Sequence, residues 1–163
     1  MALDSPVYEP IKIDELTFRF TTESEDVYQC YFLSYASFFS NYPDIASKVY
    51  GFNVDLVSGP IKHKGIDRRI SFTVVNIVAD FLASQINAVV YVCDPSDGRD
   101  GSRFKKFKSW YFYSEHPSGQ IQQVVSDVDA GGMMLHTALL VHKKNPQKEQ
   151  FVSAFFEITQ EAK

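Results

Sequence analysis

Apolar and polar residues alternate in short stretches from early in the chain. Leu16, Phe18 and Phe20 interleave with Thr17, Arg19 and Thr21, the period of a strand with one buried face. Thr22 to Asp26 reads as a charged turn. Tyr28 to Phe38 carries aromatic residues on both faces and predicts a long strand, broken at Asn41-Tyr42-Pro43-Asp44, after which a short helical turn is expected. Tyr50, Phe52, Val54 and Leu56 alternate with Gly51, Asn53 and Asp55, a third strand that Gly59-Pro60 closes. Residues 1–15 are polar and acidic with two prolines, and predict an arm along the surface.

The period then changes. Ile70, Val74, Ile77, Val78 and Phe81 recur at helical spacing, which predicts a helix from about Asp67, a suitable N-cap, to Gln85. Ala88 to Cys93 is apolar throughout, so this strand should be buried on both faces in the middle of a sheet. A second helix is expected from about Asp100 to Ser114. Segments 119–128 and 133–143 flank Gly131-Gly132, a hairpin whose loop requires positive φ. In its second strand Leu135, Thr137, Leu139 and Val141 share one face, and His136, Ala138, Leu140 and His142 the other. Asn145-Pro146 is a helix start, followed by the stripe Phe151, Val152, Phe155 and Ile158.

The predicted order is β-β-β-α-β-α-β-β-α. Strands that come in consecutive groups favour an α+β layout over a doubly wound one. The expectation is a single domain over residues 1–163. It holds a largely antiparallel, curved sheet of about six strands, with three helices mainly on one face.

Composition adds limits. Of 163 residues, 22% are charged and 15% aromatic, which suits a folded soluble domain and excludes a largely disordered chain. The net charge of −4 leaves polyanion binding to a local patch. The start MALDSPVYEP lacks the basic and apolar regions of a secretory signal, and no apolar run approaches a membrane span, so a cytoplasmic location is expected. Cys30 and Cys93 both lie in apolar runs and are expected to be buried thiols rather than a disulfide.

Candidate chemistry gathers where the apolar strand meets the second helix, in CDPSDGRDGSRFKKFKSWY. At about 100° per residue, Arg103 falls within the apolar arc of Phe104, Phe107, Trp110 and Tyr111, while Lys105 and Lys108 fall toward solvent. Arg99 projects inward as well. A guanidinium turned inward keeps its charge and requires acceptors, and Asp94 and Asp97 are the nearest. The first expectation is that these pairs lock the turn. The sharper one is that an arginine stays available to an anion at the helix start, where backbone N–H groups already favour negative charge. Trp110 could add a stacking surface. Lys62, Lys64, Arg68 and Arg69 around the first helix, Lys105 and Lys106 in the second, and Lys143, Lys144 and Lys148 near the last are basic segments. They would form a patch if they shared an edge of the sheet.

No nucleotide-binding glycine motif, nucleophile elbow, calcium loop or zinc spacing is present. His136 and His142 share a strand face about 20 Å apart at strand rise, too far to ligate one ion. No metal and no cofactor are expected. Asp94, Asp97 and Asp100, with Asp127 or Asp129, support only a third reading as a magnesium site.

The residues Cys93, Asp94, Ser96, Asp97, Gly98, Arg99, Arg103, Phe107 and Trp110 resemble the pattern of an uncharacterised family of small, single-domain bacterial proteins. That pattern is a Cys-Asp-x-Ser-Asp-Gly-Arg loop followed by a helix with Arg, Phe and Trp. The resemblance covers about residues 66–156 and implies a bacterial source, with no activity, cofactor or partner attached. Three functional expectations follow. The first is a non-enzymatic interaction or regulatory module presenting the Asp97–Arg103 loop to a protein partner. The second is a binder of an anionic ligand or nucleic acid near Arg99 and Arg103. The third is a metal-dependent phosphodiesterase-type enzyme using Asp94 and Asp97.

Overall fold

A computed structural model describes residues 7–58, 68–93 and 120–161. Seven strands form one sheet: β1 (Ile11–Asp14), β2 (Thr17–Thr21), β3 (Val27–Ser34), β4 (Val49–Ser58), β5 (Ala88–Cys93), β6 (Ile121–Ala130) and β7 (Met133–His142). Two helices are described, α1 (Arg68–Leu82) and α2 (Lys148–Glu161). The strand order is β1-β2-β3-β4-β5-β7-β6. Every neighbouring pair is antiparallel except β4 with β5, which run parallel. The α+β class and the mostly antiparallel sheet agree with the hydrophobic pattern.

Two expectations about this layout are corrected. The sheet has seven strands rather than about six, because residues 11–14 of the expected surface arm form β1 on the edge of β2. All four residues are exposed, so no alternation of burial marked them. The two described helices lie on opposite faces rather than together. Val89 and Leu140 pack with Ile70, Val74, Ile77 and Leu82 of α1. Ala88, Val90, Leu139 and Val141 pack with Phe151, Ala154 and Phe155 of α2. Successive strand residues point to opposite faces, so Ala88–Val90 of β5 and Ala138–His142 of β7 are buried between two helices, while Val92 and Met134 are exposed. The expected helix over residues 100–114 lies outside the described residues.

Local chemistry accounts for the connections. Between β2 and β3 the Thr22 N–H donates to the Asp26 carbonyl at 2.9 Å and the Asp26 N–H to Thr22 Oγ1 at 3.1 Å. Gly131 and Gly132 hold φ of +66° and +89°, the left-handed pair that a two-residue hairpin turn requires. The Gln147 N–H donates to Asn145 Oδ1 at 2.8 Å, capping the approach to α2, and Asn145 Nδ2 reaches the Asn87 carbonyl at 3.3 Å. A 3-10 turn at Ala36–Phe39 replaces the tail of the long aromatic strand, and a second at Ala46–Lys48 is the short helical turn expected after the break at residues 41–44.

Beneath α1 the core is aromatic. Phe32 stacks on Phe81 at 4.0 Å between centroids and leans on Phe52 at 5.1 Å. Tyr8 stacks on Phe20 at 5.8 Å, and its N–H donates to Thr73 Oγ1 at 2.7 Å, tying the N-terminal segment to α1. On the opposite face of β2–β4, Arg19 donates to Gln29 at 2.7 Å, in the polar half of the alternation. No helix among the described residues is long and apolar enough to cross a membrane.

Candidate functional site

The parallel pair positions the site. β4 and β5 share three residue pairs, Val49↔Ala88, Tyr50↔Val89 and Gly51↔Val90. Beyond them β4 continues from Phe52 to Ser58 and β5 from Tyr91 to Cys93 with no further pairing between the two. The sheet therefore parts at the carboxyl ends of its two central strands. A parallel step is the place where an α/β sheet opens a crevice for ligands.

α1 connects these strands through residues 59–67 on one side and 83–87 on the other. It must run antiparallel to both, which brings its N-terminus to the parted ends. A contact confirms this placement. Arg69 in the first turn of α1 pairs with Glu23 at 2.5 Å, in the β2–β3 turn, and the adjacent Val27 is in register with Ser58 at the end of β4. The first turn of α1 has two arginines and no acidic residue. That charge pattern opposes the helix dipole, whose positive end lies there.

Lys143 and Lys144 are exposed just before α2, and Lys148 opens it. Of the candidate residues in the first helix, the β5 loop and the second expected helix, Arg69 is the one whose side chain is described. Besides Glu23, its guanidinium carbon sits 4.0 Å from the centroid of the Tyr8 ring. It thus fastens α1 to the N-terminal segment. Arg68 is placed by its backbone as the first residue of α1. Asp94, Asp97, Arg99, Arg103, Trp110, Lys62, Lys64, Lys105 and Lys106 lie outside the described residues, as does the pairing expected of the two inward arginines. Chain connectivity alone requires residues 59–67 to leave the end of β4 and residue 94 to leave the end of β5.

A second group lies at the same end of β5; the sequence reading named its members separately and did not bring them together. His136 Nδ1 lies 2.9 Å from Asp127 Oδ1 across the β6–β7 hairpin. On the other side of β7, His136 is in register with Cys93. The three residues therefore occupy one row across three adjacent strands, on the α1 face. The hairpin turn held the signal, since Asp127 lies four residues before Gly131 and His136 four after Gly132. Cys30, by contrast, is a free thiol sealed in the core, and its pKa is pushed up to about 12 by burial and, secondarily, by the charge of Asp55. Among the described residues no cluster of His, Cys, Asp or Glu could hold a metal ion. An open groove of about 460 Å³ between Asn41–Ile45 and α2 lies at the amino end of β4, away from the parted strands.

The model of the Family of unknown function (DUF6169) matches residues 66–157, and the chain belongs to that family. The match takes in α1, β5, β6, β7 and most of α2, and agrees with the expected membership of an uncharacterised family over about residues 66–156. No curated protein matches the chain. Among solved structures, a CoA-dependent acyl-homoserine lactone synthase, MesI, is similar over 86% of this chain and 70% of that chain, with a TM-score of 0.39 and 8% sequence identity.

Proposed function

We propose that this member of a family of unknown function is a binding domain for a small anionic ligand bearing phosphate. The ligand sits where β4 and β5 part at the start of α1. The observation that carries the reading is the parallel pair that stops after Gly51 and Val90 while both strands continue. Three further features support it. The N-terminus of α1 directs backbone N–H groups and the positive end of its dipole toward the gap. Lys62 and Lys64 belong in sequence to the link from β4 to α1, and the helix opens on Arg68 and Arg69. Asp94, Asp97, Arg99 and Arg103 follow the end of β5 in the sequence.

In this reading Lys62, Lys64 and Arg68 meet the phosphate. Arg69 holds the helix in place through Glu23. Arg99 or Arg103 supplies a fork to the ligand, steadied by Asp94 and Asp97. Trp110 offers a face to any ring the ligand carries, and Lys105 and Lys106 add to the local field. Parted strands beside a helix N-terminus suit a small anion better than they suit docking of the Asp97–Arg103 loop on a protein.

The test is thermal unfolding of the full chain against pyrophosphate and a set of nucleoside diphosphates and triphosphates, at low and high salt. A ligand at a hundred times its Kd adds about 2.7 kcal/mol. For a chain of this length that is a rise of roughly 5–10 °C. The rise should shrink with salt and vanish in a Lys62→Glu, Lys64→Glu double variant. No rise with any phosphate ligand would overturn the proposal.

A further inference from the structure

The loop that follows β3 and the first turns of α2 carry a second inference, which does not depend on the anion-binding reading. We propose that the groove of about 460 Å³ between them binds a short linear aliphatic diamine, with an ammonium group at each wall.

The groove is shaped by cross-links. Asn41–Ile45 form one wall, and Glu149, Gln150, Ser153 and Ala154 of α2 form the other. The loop is braced from within. The Tyr42 N–H donates to the Phe39 carbonyl at 2.8 Å, and the Ile45 and Ala46 N–H groups donate to the Tyr42 carbonyl at 3.1 and 3.0 Å. Two ties then fasten the loop to α2. Toward the far end of the helix, the Tyr42 hydroxyl donates to Glu157 Oε2. Just before its start, Gln147 Nε2 donates to the Asp44 carbonyl at 3.3 Å and to Gln150 Oε1 at 3.1 Å, and Lys48 Nζ donates to Gln147 Oε1. Ties in both places fix the spacing of the walls, so the space is formed before anything enters it. Its volume falls in the range of small-molecule sites, about 300–1,000 Å³.

The lining selects the class of ligand. Ile45 and Ala154 are buried and give the groove an apolar floor. Asp44 stands on the loop wall and Glu149 on the helix wall, and no cationic side chain is found among the described lining residues. Among the described residues the Asp44 carboxylate has no hydrogen-bond or ion-pair partner, since the bond from Gln147 goes to its carbonyl. Lys148 approaches Glu149 only at 3.8 Å. Glu149, in the first turn of α2, complements the helix dipole. Asp44 is on the loop and has no such role. Two carboxylates on facing walls repel an anion and attract a cation.

A primary ammonium carries three N–H donors. Asn41 and Ser153 add side-chain oxygens as acceptors, one on each wall. A methylene chain between two ammonium groups would cover the apolar floor while its charged ends stay hydrated, as lysine stems do on protein surfaces. From Glu149 to Ala154 the helix wall runs about 7.5 Å at 1.5 Å per residue, a length that a short α,ω-diamine spans. The two ties bracket this length, which favours a short free diamine over a peptide running through the groove.

The test is titration of the isotope-labelled full chain with 1,5-diaminopentane, read by amide-resolved NMR spectra. The controls are 1,5-pentanediol, the uncharged analogue, and magnesium chloride, a cation without an alkyl chain. The diamine should saturate with a Kd of about 1 mM, as suits a ligand this small. Its shifts should centre on residues 41–45 and 147–154. The diol and magnesium should give no saturating shift there. Asp44→Asn and Glu149→Gln should each raise the Kd about two- to fivefold, the range that an exposed ion pair carries. Glu15→Gln, which removes an exposed carboxylate on the far edge of the sheet, should leave it unchanged. Ser153→Trp fills the groove from an exposed helix position without altering its charge, and should abolish binding.

No saturating shift in the parent chain overturns the proposal, whatever the variants do to folding. So does saturation that survives Ser153→Trp in a variant of unchanged melting temperature. Equal shifts with magnesium would reduce the effect to net charge and overturn it. A lysine-rich peptide that binds the same residues more than about tenfold tighter than the diamine would make the groove a peptide-docking site and overturn the diamine assignment.

Discussion

Replacing Gly51 with alanine would test how tightly the last residue that β4 pairs with β5 is packed. A Cβ there would lie 2.2 Å from Cζ, 2.3 Å from Cε1 and 2.6 Å from the hydroxyl oxygen of Tyr35. Carbon atoms in good contact sit about 3.5–4.0 Å apart, so the overlap exceeds an ångström. The Tyr35 backbone cannot yield easily, because its N–H donates to the Val49 carbonyl at 2.9 Å. The ring must therefore swing away and give up its edge contact with Phe38, at 5.1 Å between centroids. Overpacking of this kind costs about 1–3 kcal/mol. For a chain of this length a cost of about 2 kcal/mol lowers the melting temperature by roughly 4–8 °C. The assay is a double-mutant cycle by urea unfolding. Gly51→Ala should be rescued in a Tyr35→Ala background, with a coupling of about 1 kcal/mol or more. Tyr35→Phe should not rescue it, since Cζ and Cε1 remain. An unchanged midpoint for Gly51→Ala, or an equal cost with and without the ring, would refute the reasoning.

Two other outcomes follow from the packing and the titrating groups. Val89→Asp and Val90→Asp should both prevent folding or cost several kcal/mol, because each buries an unpaired charge; thermal melts in which either one is tolerated would remove a helix from that face of the sheet. Burial raises the Tyr35 phenol above its ordinary 10.0, burial and then the Asp55 hydrogen bond raise Tyr31, and Cys30 rises from 9.0 to about 12. These groups hold their protons more tightly when folded, so their contribution is complete below about pH 9 and is lost as pH rises toward 12. Cys30 alone contributes up to roughly 4 kcal/mol to that loss. Urea unfolding at pH 8 and pH 11 should show a fall that is smaller in Cys30→Ala, and an equal fall in that variant would refute the assignment.

Much of the fold was legible because single residues carry strong local instructions. The unbroken apolar run at Ala88–Cys93 marked a strand buried on both faces, and the structure buries Val89 and Val90 against different helices. Gly131-Gly132 set the hairpin, and Asn145-Pro146 set the approach to the last helix. What pattern could not supply was the sidedness of the helices. Both faces of β5 and β7 are apolar, so neither predicts which helix takes which side. β1 was missed because an exposed edge strand of four residues leaves no imprint of burial. The site divides in the same way. The end of β5 was identified from the loop that follows it, but the partners across the sheet depend on register. Asp127 and His136 could have been matched by counting from the two glycines. Cys93 joins them only because β7, and not β6, lies beside β5.

The short parallel step also divides the molecule mechanically. On one side stands a four-stranded meander, β1 to β4; on the other, β5, β7 and β6. Backbone continuity between them rests on three residue pairs, with α1 as the brace across the join. Strain applied to the sheet would concentrate along that seam before it reached either half. The seam also nearly coincides with the start of the family match at residue 66.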